Sequence, residues 1–262
     1  MVDRAEAALL DEVRSGGCEG LRLDEARGGL VVGRCGGHEV VVTLATEGDP
    51  QRWRPAVALY RLDRGLGLGV VAATTRRELS LAELMTGSDR AVVERLAVKA
   101  DGSVSAAVTV VPGTTRQRAA RWSREEQVWS RLAEGPNEPP EAQRREVRDW
   151  TAVLVLDYLS ANILRRTIEQ EDGAGRLWLV DNRSAFVEHP ESFALDQQLA
   201  KLRRVQRWPD GLAASLGRLD EAKLEALLAP GEYDDWLVHR RARAEVAIRA
   251  RALGSWLRAR SP

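Results

Sequence analysis

Apolar residues recur at helical spacing at the start of the chain. Ala5, Leu9, Leu10 and Val13 fall on one side of residues 3–15 when this segment is drawn as a helix. Charged residues occupy most of the remaining positions, which is typical of a helix with one buried face. We therefore predict a short amphipathic helix before the first strand.

From residue 20 to residue 112 the pattern changes to short apolar runs separated by glycines. Valine-rich runs are typical of strands, and a Gly-Gly or Asp-Gly pair between two runs indicates a tight turn. Gly36-Gly37 separates the first two runs, and Asp101-Gly102 separates the last two. The pattern predicts strands over residues 30–34, 39–45, 70–79, 92–99 and 104–112.

One helix interrupts this β-rich half. Residues 53–69 have apolar side chains close to helical spacing, and Asp49-Pro50 before them suits the start of a helix. Gly65, Gly67 and Gly69 suit its end, because glycine adopts the left-handed conformation that closes many helices. We predict one prominent helix that ends among these glycines.

The second half of the chain is mainly helical. A small hairpin is predicted from residues 161–169 and 176–180, which lie on either side of the turn 171–175. Helical patterns cover residues 122–133, 141–156, 193–207, 220–229 and 239–259.

The order of these elements predicts an α+β protein with a bilobal, protein-kinase-like fold. Residues 1–112 would form a β-rich N-lobe with one main helix, and residues 113–262 a mostly helical C-lobe. In folds of this kind a nucleotide binds between the two lobes. Many α+β proteins share such an order, so it does not define a function.

Net charge and hydropathy argue against a uniformly basic nucleic-acid-binding surface and against a membrane span. The 262 residues include 39 basic and 39 acidic side chains, so the formal net charge is zero and we expect no nucleic acid partner. No apolar run approaches the roughly 18 residues that indicate a membrane span. The charged N-terminal segment lacks the apolar core of a signal peptide, so we expect a cytoplasmic protein.

The chain has two cysteines, Cys18 and Cys35, both in glycine-rich surroundings. No cysteine or histidine spacing resembles a zinc site. Two reduced thiols are the expected state for a cytoplasmic protein. A single disulfide is the alternative.

Three polar residues in the second half have a spacing that suits a metal–phosphate site. Asp157 and Asn162 are five positions apart in 157-DYLSANIL-164, and Asp181 follows the apolar run 177-LWLV-180. Phosphoryl transfer needs an aspartate that orients the attacking hydroxyl and oxygen ligands for Mg²⁺. The spacing therefore suggests Asp157 as the catalytic residue and Asn162 and Asp181 as metal ligands. In the alternative interpretation these residues only cap turns and end a strand.

Two segments resemble a known family. The first, 176-RLWLVDNRSAF-186, is similar to the LIDNGxAF segment of the secretory-pathway kinases, the Four-jointed and Golgi casein kinase group, and of their bacterial relatives. Asp181 takes the place of the family's metal-binding aspartate, and Asn182 and Phe186 also match. The second, 58-ALYRLDRGLGLGVV-71, resembles the family helix AAYxLDRLLGLxxVPP. This resemblance implies a kinase-like fold that binds ATP with Mg²⁺ or Mn²⁺ between its lobes.

The sequence departs from the family at two positions that bind ATP. The family has a lysine on the strand before its helix, whereas Thr43 or Leu44 occupies that place here. The family glutamate four residues before the helix tyrosine is replaced by Ala56. The Lys–Glu pair that positions ATP in the family is therefore missing.

The catalytic loop allows two registers against relatives that read DYLIGNxDRxxxGNVL. One places Leu164 on the catalytic aspartate, which implies an inactive protein. The other places 160-SANIL-164 on GGNVL and leaves the catalytic role to Asp157, as in the DLHPGNIL loop of small-molecule phosphotransferases. We favour the second register, because Ile163-Leu164 would then continue as a strand into the hairpin.

These observations leave two main hypotheses. The first is a divergent phosphotransferase that acts on an unidentified hydroxyl-bearing acceptor, with Asp157 as the catalytic residue and Asn162 and Asp181 as metal ligands. The second is a pseudokinase that serves as a binding or regulatory module for a protein partner, which the missing lysine and glutamate favour. An unrelated α+β interaction protein is a third alternative.

Overall fold

The structure is a computed structural model that describes residues 4–25, 30–86, 88–120, 123–163, 165–173, 175–187, 189–229 and 236–260. The strands are β1 Cys18–Asp24, β2 Leu30–Cys35, β3 His38–Leu44, β4 Thr74–Ser80, β5 Ser103–Val110, β6 Thr115–Ala119, β7 Thr167–Glu171 and β8 Leu177–Trp178. The helices are α1 Arg4–Ser15, α2 Arg54–Leu66, α3 Leu81–Met85, α4 Arg90–Val93, α5 Arg124–Glu134, α6 Glu141–Leu159, α7 Ser192–Arg204, α8 Leu212–Gly217, α9 Glu221–Leu228 and α10 Arg240–Arg260.

The first half of the chain forms a five-stranded antiparallel sheet in the order β1-β2-β3-β5-β4. Strand β5 lies inside the sheet, and residues 104–110 are all buried because both faces of this strand are covered. Its sequence, SVSAAVTV, is apolar or small at nearly every position, as expected for a strand without a solvent-facing side. The valine-rich predictions for β2, β3 and β5 are confirmed.

The predicted strand at residues 92–99 is wrong. Helix α4 covers the start of that segment, and Leu96 makes only an isolated bridge to Thr46. The reason is that β5 already has β3 on one side and β4 on the other. A strand can pair with only two neighbours in a sheet, so the apolar side chains of residues 92 and 96 pack into the core instead.

Helix α2 packs against β4 and β5 and also contacts α8 and α9. It ends at Leu66, where Gly67 adopts a φ of 73° and its N–H donates to the carbonyl of Arg64. This left-handed residue confirms the predicted helix stop. Gly65 faces α9 so closely that a Cβ atom there would lie 2.6 Å from a methyl carbon of Leu227. Glycine at this position lets the two helices approach.

The Leu-Asp-Arg motif of α2 anchors the segment that follows the helix. Asp63 is fully buried, pairs with Arg64, and accepts a hydrogen bond from the backbone N–H of Val70 at 3.1 Å. The Arg64 guanidinium also donates to the carbonyl of Val71 at 3.0 Å and pairs with Glu6 of α1. These contacts fix residues 70 and 71 against the end of α2.

Burial raises the pKa of Asp63 to about 6, and the adjacent Arg64 only partly opposes this shift. The folded protein therefore binds more protons than the unfolded chain between about pH 4 and pH 6, so this aspartate lowers the free energy of unfolding as the pH rises through that window. Between pH 4.5 and pH 7.5 the free energy of unfolding of the wild-type protein, measured with urea, should fall by about 2 kcal/mol more than that of Asp63→Asn. Equal pH dependence of the two proteins would contradict the shift.

The second half of the chain contains a smaller antiparallel sheet in the order β6-β7-β8. Strand β7 starts at Thr167, six residues after the predicted start of the strand at residue 161. Ile163, a residue of the predicted strand, lies in a turn. Because of this turn, a strand continuing from Ile163 does not support the second catalytic-loop register.

The two sheets meet next to the candidate site. Val71 bridges Leu179 in parallel fashion, with Leu179 N–H donating to the Val70 carbonyl at 2.8 Å and Ala72 N–H donating to the Leu179 carbonyl at 3.1 Å. Because Asp63 and Arg64 hold residues 70 and 71, the end of α2 also positions the segment that leads to Asp181.

Helices cover the remaining faces of the second half. The C-terminal α10 packs against α8, α9 and α6. Its buried Arg249 donates from Nε and Nη2 to the carbonyl of Leu159, at 3.0 and 2.8 Å. These bonds satisfy a carbonyl at the end of α6 that has no helical partner. They fix the residue that precedes the candidate catalytic loop.

Cys18 and Cys35 form a disulfide, so the expectation of two reduced thiols is wrong. The two residues are directly opposite each other on β1 and β2, with Cα atoms 4.1 Å apart. Disulfides persist mainly in oxidising compartments. Cytoplasmic location stays a prediction, and the disulfide does not favour it.

In the described parts of the chain, every helix is too short or too polar to cross a bilayer, in agreement with the sequence.

Candidate functional site

The candidate catalytic loop follows α6 directly. Helix α6 ends at Leu159, and Ala161 turns the chain with a φ of 52°, which is a left-handed conformation. The Asn162 N–H then donates to the carbonyl of Asp157 at 2.8 Å, which closes a tight loop. A second contact joins this loop to the Asp181 segment, because Phe186 N–H donates to the Ser160 carbonyl at 2.6 Å.

Asp157 is bound by an arginine. Nε of Arg165 lies 2.7 Å from one carboxylate oxygen of Asp157 and 2.9 Å from the other. The side chains of Arg165 and Asp157 are only 2% and 9% exposed, so this is a buried ion pair. A charge-assisted pair of this kind is strong, since little water competes for either partner. The carboxylate predicted to orient an acceptor hydroxyl is already neutralised within the protein.

The same arginine links the loop to the segment after β8. Its Nη1 donates to the carbonyl of Asp181 at 3.1 Å, and its Nη2 donates to the side-chain oxygen of Asn182 at 3.2 Å. Asn182 is fully buried and donates in turn to the Leu179 carbonyl at 3.3 Å. Asn182, which matched the family motif, therefore has a structural role beside Arg165.

Asn162 is 1% exposed, and its side-chain oxygen has no hydrogen-bond partner in the described part of the chain. Its backbone carbonyl accepts a hydrogen bond from Nε2 of Gln198 on α7, at 3.2 Å. A buried polar oxygen without a partner costs free energy, so such an atom usually has a ligand or a function. This oxygen is the feature of the site that best fits a cation.

Asp181 follows the buried Val180 and lies at the edge of the site. Its carboxylate oxygen Oδ1 is 3.3 Å from Nε of Arg183 and 3.4 Å from the Arg183 backbone nitrogen. Its side chain is 21% exposed. The carboxylates of Asp157 and Asp181 thus contact two different arginines, while Arg165 also binds the Asp181 carbonyl.

The described residues contain no cluster of three or more His, Cys, Asp or Glu side chains that could hold a metal ion. A divalent ion here would depend on the oxygens of Asn162 and Asp181 and on oxygens from its own ligand. Mg²⁺ is often bound by one or two protein groups together with nucleotide phosphates, so two such residues are compatible with it.

The three lysines do not take the place of the missing family lysine in the described structure. Lys99 pairs with Glu78 at 2.9 Å, Lys201 pairs with Glu126, and Lys223 is exposed on α9. Thr43 and Ala56, which stand at the family's lysine and glutamate positions, are both buried. The loss predicted from the sequence is not offset by another lysine.

A cavity of about 390 Å³ lies where β2 begins and β3 ends. Arg52, from the turn before α2, and Arg183, from the segment after Asp181, both line it. Thr43, Val42 and Leu44 of β3 form part of its wall. Partial burial, followed by the nearby positive charge of Arg183, lowers the pKa of Arg52. Three arginines thus line the cavity: Arg52 and Arg183, which are partly buried and whose like charges act against each other, and Arg95, which is exposed.

An apolar cluster lies beside this cavity and joins the two halves of the chain. Leu30 belongs to both the cluster and the cavity wall. The ring of Trp178 packs against the cluster and is covered by the Arg176 guanidinium at 3.7 Å from its centroid. The buried members come from both halves: Leu30, Val32, Val41, Ala72, Val111 and Val180.

Sequence reasoning missed three arginines. Arg165 is buried while the adjacent Arg166 is exposed, and the tandem sequence does not indicate which of the two points inward. Arg52 and Arg183 carried no motif that would have identified them. Leu164, which one register places on the family's catalytic aspartate, lies outside the described residues.

No known family profile matches the sequence, and no curated protein matches it. Solved structures do match. A structure of the Golgi casein kinase has a TM-score of 0.69 and 16% identity, covering 97% of this chain and 74% of that one. A structure of the Golgi casein kinase with manganese and ADP bound has a TM-score of 0.68 and 15% identity, and the match covers 97% of this chain and 75% of that one. A structure of hydra Fam20 with sugar has a TM-score of 0.68 and 12% identity, and the match covers 98% of this chain and 89% of that one.

The chain is therefore an α+β protein with a bilobal, kinase-like fold. More specifically, it shares the fold of the Golgi casein kinase and Fam20 structures, which confirms at the level of fold the resemblance that its two motifs predicted. At sequence identities of 12–16% the structural similarity shows the fold alone, so the function must be argued from the residues of the site.

Proposed function

We propose that the protein is a pseudokinase: a kinase-like module that binds a nucleotide between its lobes without transferring a phosphoryl group. The Arg165–Asp157 ion pair is the observation that carries this proposal. An aspartate that orients a hydroxyl needs an accessible carboxylate oxygen, and a buried ion pair lowers its capacity to accept that proton. Both oxygens of Asp157 instead accept hydrogen bonds from one buried guanidinium.

Nucleotide binding is supported by the parts of the site that remain. Asn162 has a buried oxygen without a partner, and Asp181 lies beside the cavity-lining Arg183. The two residues would hold Mg²⁺ or Mn²⁺, which when bound offsets the charge of nucleotide phosphates. The Golgi casein kinase structure with manganese and ADP bound shows that a protein of this fold accommodates both ligands.

ATP with Mn²⁺ should raise the melting temperature of the protein. At a hundredfold excess over Kd a ligand stabilises the folded state by about 2.7 kcal/mol, which corresponds to roughly 5–10 °C for a domain of this size. Asp181→Ala should reduce this shift, because it removes one of the two proposed protein ligands. Thermal unfolding with ATP, Mn²⁺, both and neither gives the comparison.

Asp220→Ala is a matched control, because this exposed aspartate caps α9 far along the chain from the site. It should lower the starting stability and leave the ligand-induced shift unchanged. No shift with ATP and Mn²⁺ in the wild-type protein would contradict nucleotide binding.

An active phosphotransferase is the second candidate, since the unpartnered oxygen of Asn162 is compatible with metal binding in either case. Incubation with γ-labelled ATP and Mn²⁺ separates the two. The pseudokinase should release or transfer no more label than a sample without protein. Turnover that is lost in Asp157→Asn would contradict the proposal and return Asp157 to a catalytic role, with a hydroxyl-bearing acceptor still to be identified.

A further inference from the structure

Two arginines from distant parts of the sequence meet in the 390 Å³ cavity. Arg52 precedes α2, and Arg183 follows β8 and Asp181. The two halves are joined near these segments by the pairing of residues 70–72 with Leu179 and by the apolar cluster beside the cavity. A cavity that collects guanidinium groups from both halves of a bilobal protein is placed to bind an anion at their junction.

The two guanidinium groups are held in different ways. Arg183 contacts the carboxylate of Asp181 at 3.3 Å. The structure shows no hydrogen bond from the Arg52 side chain to any of the residues that it describes, although Asp49 and Asp181 are close enough to act on its charge. Arg52 is also about half-buried in the cavity wall. Its hydrogen-bond donors are therefore available to a ligand that enters the cavity.

We propose that Arg52 and Arg183 form a clamp for the phosphate groups of the bound nucleotide, in place of the missing lysine. This inference rests on the proposed nucleotide-binding function and adds the residues that recognise the phosphates. The planar guanidinium presents a fork of donors that matches two phosphate oxygens at once, whereas a lysine acts as a single point charge.

Electrostatics favour an anion at this place. Two like charges in a partly buried cavity repel each other, and a phosphate between them replaces that repulsion with two attractions. The carboxylate of Asp181 contacts Arg183, and its single negative charge does not compensate both guanidinium charges.

Two acidic residues, Glu25 and Glu94, also line the cavity. Both are exposed, and Glu94 is paired with Arg90 at 2.7 Å. Their charges are screened by solvent more than those of Arg52 and Arg183, which are partly buried. The phosphate groups are therefore expected at the Arg52–Arg183 end of the cavity.

The clamp predicts that polyphosphate binds without a metal ion. Sodium tripolyphosphate, ATP and adenosine would each be titrated in the presence of EDTA, with affinity measured by calorimetry and melting temperature. Wild type should bind tripolyphosphate and ATP. Arg52→Gln and Arg183→Gln should each bind both at least roughly tenfold more weakly, since each loses charge-assisted hydrogen bonds. Their affinity for adenosine, which has no phosphate, should stay at the wild-type value.

Arg241→Gln is the matched control, because it removes one positive charge from an exposed position on α10. It should bind tripolyphosphate as wild type does, and an equal loss in this variant would overturn the clamp in favour of general charge attraction. Arg52→Lys and Arg183→Lys keep the charge and remain informative if a glutamine variant does not fold. Each should lose affinity for tripolyphosphate, because lysine lacks the forked donor geometry.

The outcomes distinguish this inference from the proposed function. If wild type binds ATP with Mn²⁺ but not tripolyphosphate, the clamp is overturned and nucleotide binding stands. If tripolyphosphate binds and the arginine variants lose it while ATP with Mn²⁺ gives no shift beyond that anion effect, Arg52 and Arg183 form a polyphosphate site and the nucleotide-binding function is overturned. If none of these ligands binds, both are overturned.

Discussion

Replacing Arg165 with alanine should lower the free energy of unfolding by about 3–5 kcal/mol, because it leaves the buried Asp157 carboxylate without this guanidinium. The same change removes the hydrogen bonds to the Asp181 carbonyl and the Asn182 side chain. Urea unfolding followed by tryptophan fluorescence would measure the difference. A loss of this size would support a structural role for Arg165 in joining the catalytic-loop segment to the segment after β8.

A double variant distinguishes the free energy lost when one partner of the ion pair is removed from the net contribution of the pair to stability. Asp157→Leu combined with Arg165→Met removes both charges and keeps apolar volume in the same place. Replacing both members of a buried ion pair is often neutral or stabilising, whereas removing one is costly. The double variant should therefore recover most of the stability that Arg165→Ala loses.

The adjacent Arg166 provides the matched control, since it is exposed and differs from Arg165 by one position. Arg166→Ala should change the free energy of unfolding by less than about 0.5 kcal/mol. A loss below 1 kcal/mol for Arg165→Ala would show that the ion pair contributes little, and Asp157 would then be available for chemistry.

The sequence suggested a candidate site, but it did not indicate the ion pair between Asp157 and Arg165. The spacing of Asp157, Asn162 and Asp181 does not distinguish residues that bind metal or orient a hydroxyl from residues that only cap turns. The tandem Arg165-Arg166 gives no indication of which arginine points inward. Only the turn at Ala161 and the late start of β7 decide that Arg165 reaches Asp157.

The fold was predictable where one property of the sequence dominates. Strands β2, β3 and β5 are rich in valine or small residues, and the turn between β2 and β3 is Gly-Gly, so local pattern and tertiary structure agree. Strand β6, with the sequence TRQRA, has no apolar alternation. Its strand conformation comes from pairing with β7, which local sequence does not encode.

The arginine cavity was beyond sequence reasoning for a related reason. Arg52 and Arg183 lie in separate halves of the chain, and 36 of the 39 basic residues are arginine. A particular pair among so many cannot be chosen without knowing which segments meet. The bridge between Val71 and Leu179 supplies that information.

Reducing the Cys18–Cys35 disulfide should lower the free energy of unfolding by about 3 kcal/mol. The bond closes a loop with a sequence separation of 17 residues, and restricting a loop of that length in the unfolded chain typically contributes this amount. It also joins β1 to β2 at the edge of the sheet, where β1 has β2 as its only strand neighbour among the described residues.

Thiol titration and unfolding would test the bond together. Under denaturing, non-reducing conditions the protein should contain no titratable thiol, and two should appear after reduction. Dithiothreitol should shift the urea midpoint of wild type to lower concentration. The variant Cys18→Ala with Cys35→Ala should match reduced wild type within about 1 kcal/mol and should not respond to dithiothreitol.

The result bears on where the protein works, because disulfides persist mainly in oxidising compartments. Protein isolated without reductant from its native cells and alkylated at once should contain the bond if that compartment is oxidising. Two alkylated cysteines would instead support the cytoplasmic prediction. The five-stranded sheet beside the arginine cavity would then work without its link between β1 and β2, about 3 kcal/mol less stable.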